Sequence, residues 1–174
     1  MMSDSLWVNL LWSDSKREDL PSFLRSHPLF AGLKEKEISE LCRIMHERTY
    51  QMGEIVFCEG EMGAGMYLIW EGRVRIYTLS SASEEIELAR LGKGDFFGEI
   101  ALLDDGPRTA TAVATEPTRL LGLMKPDLLD FLDRHPNGGI KIILRLSQVL
   151  AARLRHTNEE LRVARYRPPS LAGA

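Results

Sequence analysis

The stretch Gly94–Ala114, GDFFGEIALLDDGPRTATAVA, decides how the chain is read. Asp95-Phe96-Phe97 ends a strand, and Gly98 permits a tight turn. Glu99 to Leu103 is long enough for one short helix, and Asp104-Asp105-Gly106-Pro107 is a turn signal. Arg108 then enters a strand of small residues, Thr109 to Ala114. A helix start offers backbone N–H groups without intrahelical acceptors, together with a positive partial charge, and that combination binds phosphate. Arg108, nine residues after Glu99, can return across the turn as a bidentate partner for the same anion. Thr109, Ala110 and Thr111 leave room for a ligand. Glu99 cannot favour phosphate; its natural partner is a hydroxyl donor. One anion site beside one hydroxyl acceptor suits a sugar phosphate with a single negative charge.

Outward from this stretch the chain has three characters. Between Glu47 and Met124 short β-rich runs alternate with glycines at 53, 60, 63, 65, 72, 92, 94 and 98: EIVFCEG, MYLIWEG, RVRIYTL, EIELARLG, TATAVAT and TRLLGLM. Many short strands at near-regular spacing indicate an all-β barrel, sandwich or jelly roll. Residues 20–46 read as helical, with Ile38, Leu41, Cys42 and Met45 on one stripe and Pro21, Pro28 and Gly32 cutting the region before it into short pieces. After Pro126 the helical pattern returns, first over Asp127–Arg134, stopped by His135-Pro136, then from Ile140 to Arg165, ended by Arg167-Pro168-Pro169. The domain plan is an appendage over 1–19, a β-roll with flanking helices over 20–136, a terminal helix over 137–167 and a flexible tail over 168–174.

The terminal helix carries a heptad seam, Ile140, Ile143, Ser147, Leu150, Leu154, Thr157, Leu161 and Ala164, spaced alternately by three and four. Six of the eight are apolar, which points to a two-stranded coiled coil and a homodimer through Ile140–Ala164. A second stripe, Ile142, Leu146 and Val149, can face the roll.

Composition sets the bounds. The 174 residues are 44% hydrophobic and 27% charged with a net charge of −3, which argues against disorder and against a coat for nucleic acid or anionic membrane. Cys42 and Cys58 lie in apolar-patterned segments outside any metal-ligand spacing, as expected of reduced, buried thiols in a cytoplasmic protein. His27, His46, His135 and His156 are scattered, so no metal site and no catalytic cluster is expected. Leu6–Trp12 is too short and too acidic in context for a signal peptide or membrane anchor; Trp7 and Trp12 are expected to dock on the protein itself or on a partner subunit. Residues 141–167 are basic, net +5 from seven Lys and Arg against Glu159 and Glu160, and read as a solvated face or a docking surface for an acidic partner.

GDFFGEIALL followed by PRTATAVA resembles the phosphate-binding cassette of the cyclic nucleotide-binding domain family, and GEIVFCEGEMGAGMYLIWEGRVRIY resembles the paired strands upstream of it. The resemblance covers roughly residues 28–160 and implies a mainly β fold: a double-stranded β-helix, or jelly-roll, β-roll with N-terminal helices and a long C-terminal helix. It implies cAMP or cGMP as ligand, with no further cofactor. Arg108 would pair with the cyclic phosphate and Glu99 would accept from the ribose 2′-hydroxyl. Backbone N–H groups of Gly98, Glu99, Ile100 and Ala101, with Thr109 and Ala110, would complete the cradle, and Ile76, Leu88 and Leu91 would line the purine pocket. RLSQVLAARLRHTNEEL resembles the dimer helix of the bacterial catabolite-activator branch, which places Thr157 and Asn158 at the purine. A helix-turn-helix domain follows that helix in the branch; this chain ends at Ala174, so DNA binding by the chain alone is not expected. The implied role is a regulatory cyclic nucleotide sensor that moves its C-terminal helix and signals to an effector protein, without enzymatic activity and without a membrane partner. The alternative is a ligand-independent dimerisation module with a lapsed pocket.

Overall fold

In the computed structural model, which describes residues 19–166, two four-stranded antiparallel sheets form a β-roll flanked by helices. The strands are β1 (His46–Tyr50), β2 (Ile55–Phe57), β3 (Gly65–Glu71), β4 (Val74–Leu79), β5 (Glu85–Leu91), β6 (Phe96–Phe97), β7 (Thr111–Ala114) and β8 (Thr118–Met124). One sheet has the order β1-β8-β3-β6 and the other β2-β7-β4-β5. The helices are α1 (Leu20–Ser26), α2 (Glu35–Ile44), α3 (Ile100–Leu103), α4 (Lys125–Arg134) and α5 (Pro136–Arg165), with a 3-10 turn at Pro28–Phe30.

The β1-β8-β3-β6 sheet is covered on both faces, which explains why β3 and β8 read as unbroken apolar runs rather than alternating ones. Ile69 and Leu120 point into the roll, where they meet Val74 and Ala112 of the other sheet and Phe97. Met66, Leu68, Trp70, Leu121 and Leu123 point the other way, into a second core made with Leu24, Phe30, Leu41, Phe131, Ile142 and Leu146 of the helices. β1, HERTY, has no apolar run because it is a largely exposed edge strand; Arg119 of β8 pairs with its Glu47 at 2.7 Å.

Local signals fix the helix starts. Asp19 caps α1 by accepting from the Ser22 amide at 2.8 Å, ahead of Pro21 in the first turn. The Lys34 amide donates to Glu37 Oε2 at 2.6 Å at the start of α2. α5 begins at Pro136, four residues earlier than the sequence pattern suggests. Pro136 occupies the first turn, where its missing N–H costs nothing. The added turn contains Asn137-Gly138-Gly139, whose glycines sit at a close crossing. A Cβ on Gly138 would stand 2.7 Å from Glu37 Oε1, and one on Gly139 would stand 2.2 Å from Leu132 Cδ2.

On α5 the stripe Ile142, Leu146 and Val149 packs on the domain, as the pattern suggests. The heptad seam is half-buried at Ile143 and Leu150 and exposed at Ile140, Leu154 and Leu161, and every residue from 151 to 166 is exposed. Cys42 packs at the edge of the helical core, and burial pushes its thiol up; both cysteines are half-buried rather than enclosed. Trp7, Trp12, the rest of the 1–18 stretch and the tail over 168–174 lie outside the described residues.

Candidate functional site

The segment Gly98–Ala110, strands β4 and β5, and the exposed half of α5 enclose a cavity of ≈ 450 Å³. Its charged centre is Arg108, which is 8% exposed. The backbone of Arg108 is held on both sides, its N–H donating to Glu61 O at 2.7 Å and its carbonyl accepting from Gly60 N at 2.9 Å. The guanidinium lies 4.0 Å above the Phe57 ring and donates through Nη1 to Gly98 O at 3.0 Å. Phe57, Tyr67 and Phe97 pack ring against ring beneath it. Burial pushes the guanidinium downward from its ordinary value, with Glu61 and Glu99 among the groups opposing that shift; arginine nonetheless stays protonated in proteins. Among the described residues no carboxylate pairs with this cation, so most of its N–H donors remain for a ligand.

Gly98 makes this arrangement possible. Its φ of +73° favours glycine, and a Cβ there would stand 2.5 Å from Arg108 Nη1. The chain then turns into α3, where Ala101 N donates to Gly98 O at 3.2 Å and Leu102 N to Glu99 O at 3.1 Å. Among the described residues the amides of Glu99, Ile100, Thr109 and Ala110 have no protein acceptor. Four donors and one buried cation around one cavity form an anion site.

Glu99 is buried beside them, and its carboxylate receives Arg153 Nη1 of α5 at 2.5 Å. Arg153 Nη2 also donates to Phe96 O at 2.8 Å, and its guanidinium lies 5.1 Å from the Phe96 ring centre. The terminal helix is thereby tied to the segment that carries the anion site.

The apolar wall is Ile76, Leu88 and Leu91. Leu88 is 56% exposed, which no packing role inside the roll explains; it opens onto the cavity mouth. α5 contributes Arg153, His156, Thr157 and Glu160. All the residues expected from the sequence line this cavity except Asn158. Asn158 faces a separate hollow with Leu161, Arg162, Arg165 and Tyr166, because neighbours on a helix diverge by about 100°. Phe57, Arg153, His156 and Glu160 were not singled out from the sequence; the signal for the last three is the helical spacing of 3, 4 and 7 from Arg153, which includes Thr157.

Among the described residues no group of three His, Cys, Asp or Glu side chains could hold a metal ion, and no helix is long and apolar enough to cross a membrane. Among the described residues the cavity brings together the buried guanidinium of Arg108, free amides at Glu99 and Ile100, the Glu99 carboxylate, and an apolar wall beyond.

Residues 47–135 match the family model described as cyclic nucleotide-binding domain. The chain is 38% identical over 138 residues to the cyclic AMP receptor protein of Thermus thermophilus, covering 79% of this chain and 62% of that protein. It is 32% identical over 133 residues to the CRP-like cAMP-activated global transcriptional regulator of Mycobacterium tuberculosis, covering 76% of this chain and 58% of that one. The chain thus spans about three-fifths of the length of these relatives. The crystal structure of the Thermus thermophilus catabolite activator protein superposes with a TM-score of 0.71 at 38% identity, over 79% of this chain and 62% of the other. With the roll, the cassette and these likenesses in agreement, the chain belongs to the cyclic nucleotide-binding domain family.

Proposed function

We propose that the protein is a regulatory sensor in which the cavity takes a cyclic purine nucleotide. Arg108 and the amides of Glu99, Ile100, Thr109 and Ala110 hold the cyclic phosphate, the Ala101 amide being engaged by the Gly98 carbonyl, and Glu99 accepts from the ribose 2′-hydroxyl. The purine lies between Ile76, Leu88 and Leu91 on one side and Thr157 of α5 on the other. The observation that carries this reading is Arg108 itself. A buried guanidinium with no carboxylate partner among the described residues is a costly feature unless an anion completes it.

In this reading Arg153 gives the ligand its grip on α5. It shares the Glu99 carboxylate with the ribose, so occupancy changes the contact that holds the helix. A ligand shifts a two-state element only through contacts that differ between the states, and this is such a contact. The signal passes to an effector protein, and two copies associate along the Ile140–Ala164 seam. The protein acts in the cytoplasm and catalyses no reaction.

Calorimetry with cAMP and cGMP tests the site. Arg108→Ala removes a charged hydrogen-bonded contact of roughly 1.5–3 kcal/mol, so binding should weaken by about tenfold to over a hundredfold. Unchanged affinity in the folded variant would overturn the role of Arg108. A wild type that binds neither nucleotide would leave the ligand-independent dimerisation module as the reading.

A further inference from the structure

Arg108 is a buried cation without a carboxylate partner among the described residues, and the nearby Glu99 carboxylate is taken by Arg153. Aromatic rings stand where a counter-charge would. The guanidinium carbon lies over the face of Phe57, 4.0 Å from the ring centre, with the Tyr67 ring at 6.0 Å. The Phe57 ring is itself fixed by its neighbours, Phe97 at 5.8 Å and Tyr67 stacked at 6.1 Å. Phe97 and Tyr67 stack on each other at 5.7 Å, which closes the cluster. The backbone of β2 aims Phe57 at this place. The pairing of β2 with β7 shifts register between Ile55 and Phe57, so that Ile55 lies exposed while Phe57 reaches the cavity wall. Such irregularities in a strand re-aim a side chain.

This inference rests on the reading that Arg108 receives the phosphate of a cyclic purine nucleotide. A buried guanidinium has to be stabilised, and a carboxylate would do so at the expense of binding: it would occupy the N–H donors and repel the incoming anion. An aromatic face does neither. Its negative quadrupole attracts the cation, while the N–H donors of the guanidinium lie in that group's own plane. Among the described residues one of them is used, by Nη1 on the Gly98 carbonyl. Two glycines keep the approach close. A Cβ on Gly98 would stand 3.4 Å from Phe57 Cε1, and one on Gly63 would stand 3.2 Å from Arg108 Nε. We propose that Phe57 is a positioning residue: its ring face, backed by Tyr67 and Phe97, holds the Arg108 guanidinium in place and leaves its N–H edge open to the ligand phosphate.

The test is calorimetry on the full chain with cAMP and cGMP. Phe57→Leu keeps an apolar side chain and removes the ring face. Affinity should fall roughly five- to thirtyfold, the worth of a desolvated cation–π contact. The factor should be the same for both nucleotides, because the phosphate is common to them. Mono-, di- and trifluorophenylalanine at position 57 keep the shape of the ring and drain charge from its face. Affinity should therefore fall step by step with fluorine number, a trend that a role in packing alone would not produce. In the Arg108→Ala background Phe57→Leu should cost little more, because both changes act on one contact. A wild type that binds nucleotide with an affinity unmoved along the fluorine series overturns the proposal and leaves the functional reading standing. A Phe57→Leu loss just as large in the Arg108→Ala background does the same. If the wild type binds neither nucleotide, the functional reading fails, and this inference fails with it.

Discussion

Gly98→Ala separates the two tasks that this glycine performs. The first is conformational. At φ +73° an alanine pays the left-handed cost of roughly 1–2 kcal/mol. In a chain of this size that lowers the melting temperature by about 2–8 °C. The second is steric. The new methyl would stand 2.5 Å from Arg108 Nη1 and 3.4 Å from Phe57 Cε1. The guanidinium is the far end of a flexible side chain, so it gives way rather than the fold, and it loses its Gly98 carbonyl and its seat on Phe57 together. Nucleotide affinity should then fall about as far as for Arg108→Ala, that is by about tenfold to over a hundredfold. Gly53→Ala is the control: its φ is +85°, with nothing within 4 Å of the added Cβ, so it should lose comparable stability and no affinity. The double variant Gly98→Ala/Arg108→Ala should bind no more weakly than Arg108→Ala alone, because both act on one contact. Thermal melts and calorimetry read the two effects separately. A Gly98→Ala protein that melts lower yet binds nucleotide as the wild type does would refute the claim that this turn positions Arg108.

Two further expectations concern the rest of the molecule. His27 is buried; its Nδ1 accepts from the Leu29 amide at 3.2 Å and its Nε2 donates to Gly94 O at 2.8 Å, an arrangement for the neutral ring, and burial holds its pKa below the ordinary histidine value. A depressed folded-state value stabilises the protein above the unfolded pKa, and that stability is lost as pH falls through the folded value. The urea midpoint should therefore drop from pH about 7.5 to pH about 5.5, with a smaller drop in His27→Gln; identical pH dependence would refute it. Leu150→Asp with Leu154→Asp should give a monomer in equilibrium sedimentation, and a wild type already monomeric at high concentration would refute the seam as a dimer contact.

Much of this was legible in the sequence because local rules set it. The glycine-punctuated runs fall on six of the eight strands, and Gly94–Ala114 carries the turn, the short helix and the returning arginine in order. The remaining features depend on tertiary context. The sequence pattern starts the terminal helix at Ile140, and only the crossing with Leu132 and Glu37 shows why the helix that begins at Pro136 needs Gly138 and Gly139. Arg153 looks like any solvated arginine of a basic helix until α5 folds back over Glu99. Leu88 looks like roll interior, and its exposure at the cavity mouth follows from β5 being an edge strand. Thr157 and Asn158 are neighbours in sequence but face different hollows, a distinction that the rotation of a helix makes and a motif match does not.

The exposed half of α5 has a thermodynamic consequence for the cavity it walls. Residues 151–166 make up a helical segment with no apolar burial of its own, and helices of such length are marginal alone in water. Arg153, His156, Thr157 and Glu160 all ride on it. Measured affinity is then the intrinsic affinity scaled by the fraction of molecules in which this wall is formed. Anything that clamps the segment, such as a second copy along the seam, raises that fraction and tightens nucleotide binding. By reciprocity the nucleotide strengthens the clamp by the same factor. A pocket finished within one rigid domain would bind its ligand and change nothing else. If two copies associate along the seam as proposed, leaving one wall to be completed makes occupancy and assembly two readings of a single equilibrium.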